Sequence, residues 1–298
     1  MLFSLITDYG EKMMKLGYVI GGLSEDALKL ASDVGFEALE VRPANKEWLD
    51  GDKKAIDQAL ALLDKYKIEI YALCVDPFTD FCSLRASKDE IEIGMKRMAK
   101  IMDLCKIMGA KVFQNTGPRG YYAKKSMEDN IAIYKEIYSP IGDLAESKGV
   151  KIAFENCPGG GPFVDGETLA VTPIVWKMMF EAVPSKYIGL VYDPSHLIWQ
   201  FIDHVKAASD FRDRIFEVHG KDTKILYDKL AETGTYGNGW WVDRHPGFGD
   251  VKWEEIIKIL HEVGYDGGII IEHSDPYFPG NRRVEGLKVA GNYLRRFI

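Results

Sequence analysis

Residues 145–162 read AESKGVKIAFENCPGGGP. An amphipathic segment stops at Gly149, a short apolar run follows, and the run ends in Glu155 and Asn156 before a proline and three glycines. Glycine just past a helix suits the left-handed cap conformation, and a strand a few residues later is the grammar of a βα unit. The same order recurs in SDVGF, CKIMGA and HEVGYDG, around Gly35, Gly109 and Gly264. A glycine-capped helix that leads repeatedly into an apolar strand predicts a parallel sheet covered by helices.

Outward from that stretch, eight β-rich runs can be marked: KLGYVI (15–20), EALEVR (37–42), IEIYALCV (68–75), KVFQNT (111–116), KIAFEN (151–156), IGLVYD (188–193), IFEVHGKD (215–222) and GGIIIEH (267–273). Amphipathic segments lie between them, for instance 24–34 and 90–108, the latter with Ile91, Met95, Met98, Ile101, Met102 and Cys105 in helical spacing. Eight strands with intervening helices predict a single-domain (β/α)8 TIM barrel over 1–298, since no Pro/Ser-rich linker divides the chain. An open doubly wound sheet is the alternative. Its dinucleotide-binding form needs GxGxxG after the first strand, which IGGLSED does not supply, and the glycines after Cys157 lack the Gly-Lys-Ser/Thr of a phosphate loop. No nucleotide cofactor is expected.

A hydrophobic content of 46% with 28% charged residues is enough for a large core and too apolar for disorder. The net charge of -7, with Lys and Arg dispersed, disfavours nucleic acid and anionic membranes as partners. No stretch reaches the roughly eighteen uninterrupted apolar residues of a membrane span. Cys74, Cys82, Cys105 and Cys157 share no CxxC spacing and read as reduced core thiols. The first residues, MLFSLITDYGEKMM, contain Asp8 and Glu11 and lack a basic lead before an apolar stretch, so a cytoplasmic protein is expected. A homo-oligomer is compatible with all of this.

In a parallel barrel the C-terminal strand ends meet at one rim. The last four strands carry Glu155, Asp193, His219 and Glu272 at or near those ends. Three carboxylates and an imidazole brought together repel and lose hydration unless a cation neutralises them. A divalent metal is therefore expected. Oxygen-rich ligation with one nitrogen suits Mn²⁺ best, with Mg²⁺, Co²⁺ and Zn²⁺ as further options. Other rim candidates are Asn115 at the end of strand four, Trp199 as a wall, Lys221 and Arg244 for an oxygen-rich or anionic substrate group, and Asn156 as a hydrogen-bond partner that orients Glu155. Residues 223–251 read as a long loop, a frequent form of lid, in which Trp240 and Trp241 either stack on a sugar face or pin the loop.

FENCP, YDPSH (192–196), VHGKD (218–222), RHPGFGDVKW (244–253) and GYDGGIIIEHSDP (264–276) together resemble the sugar phosphate isomerase/epimerase group, the xylose isomerase-like barrels that include ketose 3-epimerases, hydroxypyruvate isomerase and inosose dehydratase. The resemblance is strong from about residue 150 onward and general before it, where SEDALKLASDVGFEALEVR looks like the group's first helix and second strand. It implies Glu155, Asp193, His219 and Glu272 as metal ligands, Glu155 and Glu272 as the acid/base pair, and His196 as a substrate contact. One position departs. The 3-epimerases carry an arginine six residues after the metal-binding histidine, where this chain has Ile225, so Lys221 or Arg244 would take over or the substrate differs.

The expected chemistry is proton abstraction and return through a metal-stabilised cis-enediolate of a sugar or sugar phosphate. Loss of a β-hydroxyl from the same intermediate would make the protein a dehydratase or lyase on a keto-inositol or keto-glycoside, working alone or with a partner subunit. An endonuclease IV-like phosphodiester hydrolase ranks last, because that chemistry calls for more metals and a basic docking surface.

Overall fold

The structure, a computed structural model, describes residues 14–74, 82–115 and 117–298. The reading of the chain's first residues, and the assignment of Val75 and Thr116 to strand ends, lie outside them. Eight parallel strands close into a barrel: β1 (Lys15–Ile20), β2 (Ala38–Val41), β3 (Glu69–Leu73), β4 (Val112–Asn115), β5 (Lys151–Glu155), β6 (Ile188–Tyr192), β7 (Ile215–His219) and, after a hairpin of β8 (Asp222–Ile225) and β9 (Trp241–Arg244), β10 (Gly268–Ile271). Closure is made by β1, which pairs with β10 on one side and β2 on the other. Helices lie between successive barrel strands, which makes this a single (β/α)8 domain.

Local chemistry explains the punctuation. In the helix Glu25–Val34 the Ser24 side chain accepts from the amide of Ala27, so Ser24 caps the helix from outside its first turn. Ser87 and Glu90 form a reciprocal capping box on the helix Lys88–Met108. The helix Met127–Lys148, which leads into β5, ends at Gly149 with φ 66°, where a side chain would be strained.

Two apolar layers result. The larger one lies between the strands and the helices, and includes Leu39, Phe113, Phe154, Leu190, Trp176 and Trp253. A smaller one fills the barrel itself with Ala38, Tyr71, Ala72, Val112, Ala153, Val191, Phe216 and Ile270. Because strand side chains alternate, every second residue beyond that inner layer also faces inward. Glu40, Glu155, Asp193 and Glu272 each lie two positions after an inner-layer residue.

The segment expected as a loop after β7 is ordered structure instead. β8 and β9 pair antiparallel from Asp222↔Arg244 to Ile225↔Trp241, and a helix, Tyr227–Thr233, lies between them. The Asp222 carboxylate accepts from the amides of Thr223, Gly247 and Val251 and from the Trp253 indole, which draws both ends of the segment onto one buried anion. Trp241 stacks on Trp199 at 5.4 Å between ring centroids and Trp240 on Phe201 at 5.8 Å, so both tryptophans pin the hairpin to the turn after β6. Among the described residues, no helix is long and apolar enough to cross a membrane.

Candidate metal centre

Glu155 and His219 are the last residues of β5 and β7, while Asp193 and Glu272 directly follow the last residues of β6 and β10. One ligand atom from each of the four falls within 4.8 Å of the others. The centre of the group is His219 Nδ1, which lies 3.2 Å from Glu155 Oε1, 3.6 Å from Glu272 Oε2 and 3.8 Å from Asp193 Oδ2. The opposite ring nitrogen, Nε2, is 2.9 Å from Glu40 Oε2. A carboxylate behind an imidazole fixes its orientation and favours the tautomer whose lone pair points the other way, here toward the three acids.

Asp193 divides its carboxylate between two tasks. Oδ1 accepts from the amide and hydroxyl of Ser195, at 2.9 and 2.5 Å. Oδ2 is buried without a hydrogen-bond partner. A lone pair left unpaired in a low-dielectric site is costly, and a cation is the partner that this donor set fits. Charge follows the same logic. Burial alone would lower the pKa of His219, but Glu155 and Glu40 drive it well above the usual range, so the group draws positive charge to this point. Burial would likewise raise Glu155, and His219, His196 and Arg42 hold it well below the usual carboxylate range.

Two charged residues that the sequence reading did not single out contact the group directly, and the buried Glu217 lies beside Glu40 and His219. Glu40 is one. Arg42, directly after β2, is the other: its Nε lies 2.9 Å from Glu40 Oε1, Nη1 3.5 Å from Glu155 Oε2 and Nη2 3.1 Å from Glu272 Oε1. Both were detectable as charged residues that alternate with Leu39 and Val41 in EALEVR, on the strand face that turns inward.

The remaining candidates separate. Lys221 joins the group, with Nζ 3.4 Å from Glu272 Oε2. His196 does too, with Nε2 3.6 Å from Glu155 Oε1 and 3.4 Å from Asp193 Oδ2, and Asp193 raises its pKa to about 10 against burial that would lower it. Asn156, expected to orient Glu155, exchanges two hydrogen bonds with the main chain of the neighbouring Asp193, at 2.8 and 2.9 Å. Arg244 bonds Asp275 at 3.0 Å and lies over the rings of Tyr277 and Phe248. Asn115 is buried on the strand face of Phe113, which packs toward the helices, and its Nδ2 lacks a partner. Trp199 stands edge-on to His196 with ring centroids 6.4 Å apart. Ile225 is buried on β8, and the cations beside Glu272 are Lys221 and Arg42.

Known proteins share this architecture. Over 305 aligned residues the chain is 28% identical to the uncharacterized protein YfiH of Bacillus subtilis (strain 168), covering 88% of this chain and 93% of that one. It is 29% identical over 161 residues to an inosose dehydratase of Geobacillus thermodenitrificans (strain NG80-2), covering 52% of this chain and 50% of the relative. A solved D-tagatose 3-epimerase-like protein superposes with a TM-score of 0.70 over 95% of this chain and 98% of its own, at 20% identity. Residues 28–296 match the family described as xylose isomerase-like TIM barrel, and the chain belongs to that family.

Proposed function

We propose that the protein is a divalent-metal-dependent isomerase or epimerase of a small sugar or sugar phosphate. In this reading Glu155, Asp193, His219 and Glu272 hold the ion, and Glu155 and Glu272 exchange the substrate proton. The observation that carries it is the convergence of three carboxylate oxygens on His219 Nδ1, with Nε2 tied back to Glu40. Mn²⁺ is the best match to three oxygen donors and one nitrogen, with Mg²⁺, Co²⁺ and Zn²⁺ as alternatives. A bound dication supplies Lewis acidity that lowers the cost of removing a proton from a carbon beside a carbonyl.

The chain's own residues do the rest. Glu155 is kept ionised and is therefore competent to take the proton. Burial would raise the Glu272 carboxyl, but Lys221 and Arg42 hold it below its ordinary value, so it too rests as a base. If the two glutamates flank the sugar on opposite faces, removal by one and return through the other inverts the carbon; return to the neighbouring carbon interconverts aldose and ketose. Trp199 and Trp241 form an aromatic wall beside His196, suited to the apolar face of a sugar ring.

A second reading, dehydration of a keto-inositol, draws support from the inosose dehydratase matched over half its length. It begins with the same proton removal and diverges when a β-hydroxyl leaves.

One experiment addresses both. The full chain, stripped with chelator and reloaded with Mn²⁺, is incubated in D₂O with free sugars, sugar phosphates and a keto-inositol and followed by proton NMR. Deuterium should enter a carbon next to a carbonyl, and Glu155→Gln or Glu272→Gln should abolish the exchange. A vinylic product from the keto-inositol alone would move the assignment to the dehydratase, and exchange that survives both substitutions would remove the glutamates from the acid/base role.

A further inference from the structure

We propose a second cation position at the mouth of the quartet, made by Glu155, Cys157 and His196 and suited to a softer dication such as Zn²⁺. It rests on the reading of Glu155 as a ligand and extends it to a shared, bridging carboxylate.

One ligand atom from each of the three residues lies within 4.8 Å of the other two. Carboxylate oxygen, thiolate sulfur and imidazole nitrogen bind zinc at about 2.0–2.2, 2.3 and 2.0–2.1 Å, which sets tetrahedral ligand atoms roughly 3.3–3.8 Å apart. His196 Nε2 already stands 3.6 Å from Glu155 Oε1. That nitrogen is the independent sign of a missing ligand: the residue is 8% exposed, and Nε2 has no hydrogen-bond partner.

Cys157 is set apart from the other cysteines. Cys74, Cys82 and Cys105 are buried, whereas Cys157 is half-buried. Its position is also well defined. The chain leaves β5 at Glu155, and Asn156 between the two ligands is bound at both ends of its amide to the main chain of Asp193. A first ligand on a strand end and a second held by a buried amide make a preorganised pair.

The chemistry of the donors separates the two positions. The quartet offers three hard oxygens and one nitrogen, the set for Mn²⁺ or Mg²⁺; the trio substitutes sulfur, which favours zinc or cobalt. Two dications about 3.5–4 Å apart that share ligands are a recurrent arrangement in metalloenzymes. On binding, the thiol proton and the proton on His196 pass to solvent as the Sγ–metal and Nε2–metal bonds form, with no change in oxidation state. Occupation would also take up His196, so the second ion would change how the mouth of the site meets a substrate oxygen.

The test uses Co²⁺ as the probe on the metal-free full chain under anaerobic conditions. Wild type should bind two equivalents by equilibrium dialysis and develop a thiolate-to-cobalt charge-transfer band in the near ultraviolet. Cys157→Ser should bind one equivalent without that band, and its retained first equivalent would show that it has folded. His196→Ala should weaken the thiolate-bearing equivalent at least tenfold. Saturation of wild type at one equivalent, two equivalents without the band, or a band that persists in Cys157→Ser would each overturn the second position. Failure of both wild type and Cys157→Ser to bind any ion would count against the quartet itself.

Discussion

Arg42 spends its whole guanidinium on three carboxylates, Glu40, Glu155 and Glu272, and by doing so holds the outer oxygens of the two proposed acid/base residues. Glu155 Oε1 and Glu272 Oε2 are left facing His219. Removing one partner from a buried ionic network leaves uncompensated charge, at a cost of about 3–5 kcal/mol. Arg42→Met should therefore lower the thermal midpoint of the chelator-treated protein, and lower it much less in excess Mn²⁺, because a dication can neutralise the same acids. Equal losses with and without metal would mean that Arg42 acts elsewhere. The four proposed ligands were legible because each closes an apolar run with a titratable group. Glu40 and Arg42 left only a faint signal, their alternation with Leu39 and Val41. An acid and a base near the end of EALEVR look like solvated strand-end groups until closure of the barrel turns that face inward, across from His219 on β7. The partner of Asn156 was hidden for a similar reason, since its hydrogen bonds join β5 to β6 across a contact that exists only after folding.

At the scale of the elements, the delicate contact is between β6 and β7. Their register shifts between Leu190 and Val191, which moves the pairing from Leu190↔Ile215 to Val191↔Glu217. Gly189 lies just before that shift, and a Cβ there would come within 2.4 Å of the Arg214 carbonyl oxygen and 2.5 Å of the Phe216 ring. The oxygen belongs to the backbone, so relief requires the strands to separate. Gly189→Ala should cost about 1–3 kcal/mol in chemical denaturation. It should also weaken Mn²⁺ binding, because Asp193 and His219 ride on the two displaced strands; unchanged stability together with unchanged metal affinity would refute this account. The strands themselves were readable from β-rich runs and glycine caps. Their last ladder residues were placed one or two positions too late in several runs, such as EALEVR and IGLVYD, where the ladder ends at Val41 and Tyr192. The hairpin was missed altogether. GTYGNGWWVDR is polar and glycine-rich, and what orders its strand is the buried Asp222 and two stacked tryptophans, all tertiary contacts.

At the scale of the whole molecule, the last helix, Arg283–Leu294, packs against β10 and the helix Glu25–Val34, and it does so over a buried histidine just after β9. His245 is fully buried and its Nε2 is 2.9 Å from His273 Nδ1. Gly286 makes the approach possible, since a Cβ there would lie 2.6 Å from His245 Nε2. Burial, and next the neighbouring His273, push the His245 pKa down to about 4. In the unfolded chain the same ring titrates near ~6.5. The folded form thus binds fewer protons than the unfolded form between those values, so the stability this group contributes is complete above pH ~6.5 and falls as the pH drops toward 4. The loss from His245 should reach about 2 kcal/mol at pH 5. His204 and His273 are also lowered, chiefly by burial, and add to the same slope. Glu155 and Asp193, held below their ordinary values, lose their contribution only at more acid pH, whereas His196, His219 and Asp222, whose folded pKa values are raised, oppose the His245 slope between pH 7.5 and 5, so the His245 contribution is read as a difference between wild type and a variant. Urea denaturation of the metal-free chain at pH 7.5 and 5 should show wild type losing about 2 kcal/mol relative to His245→Gln, which keeps a polar partner for His273 without a titrating ring. An equal change in wild type and His245→Gln between the two pH values would show that the closing helix does not exclude the proton from His245.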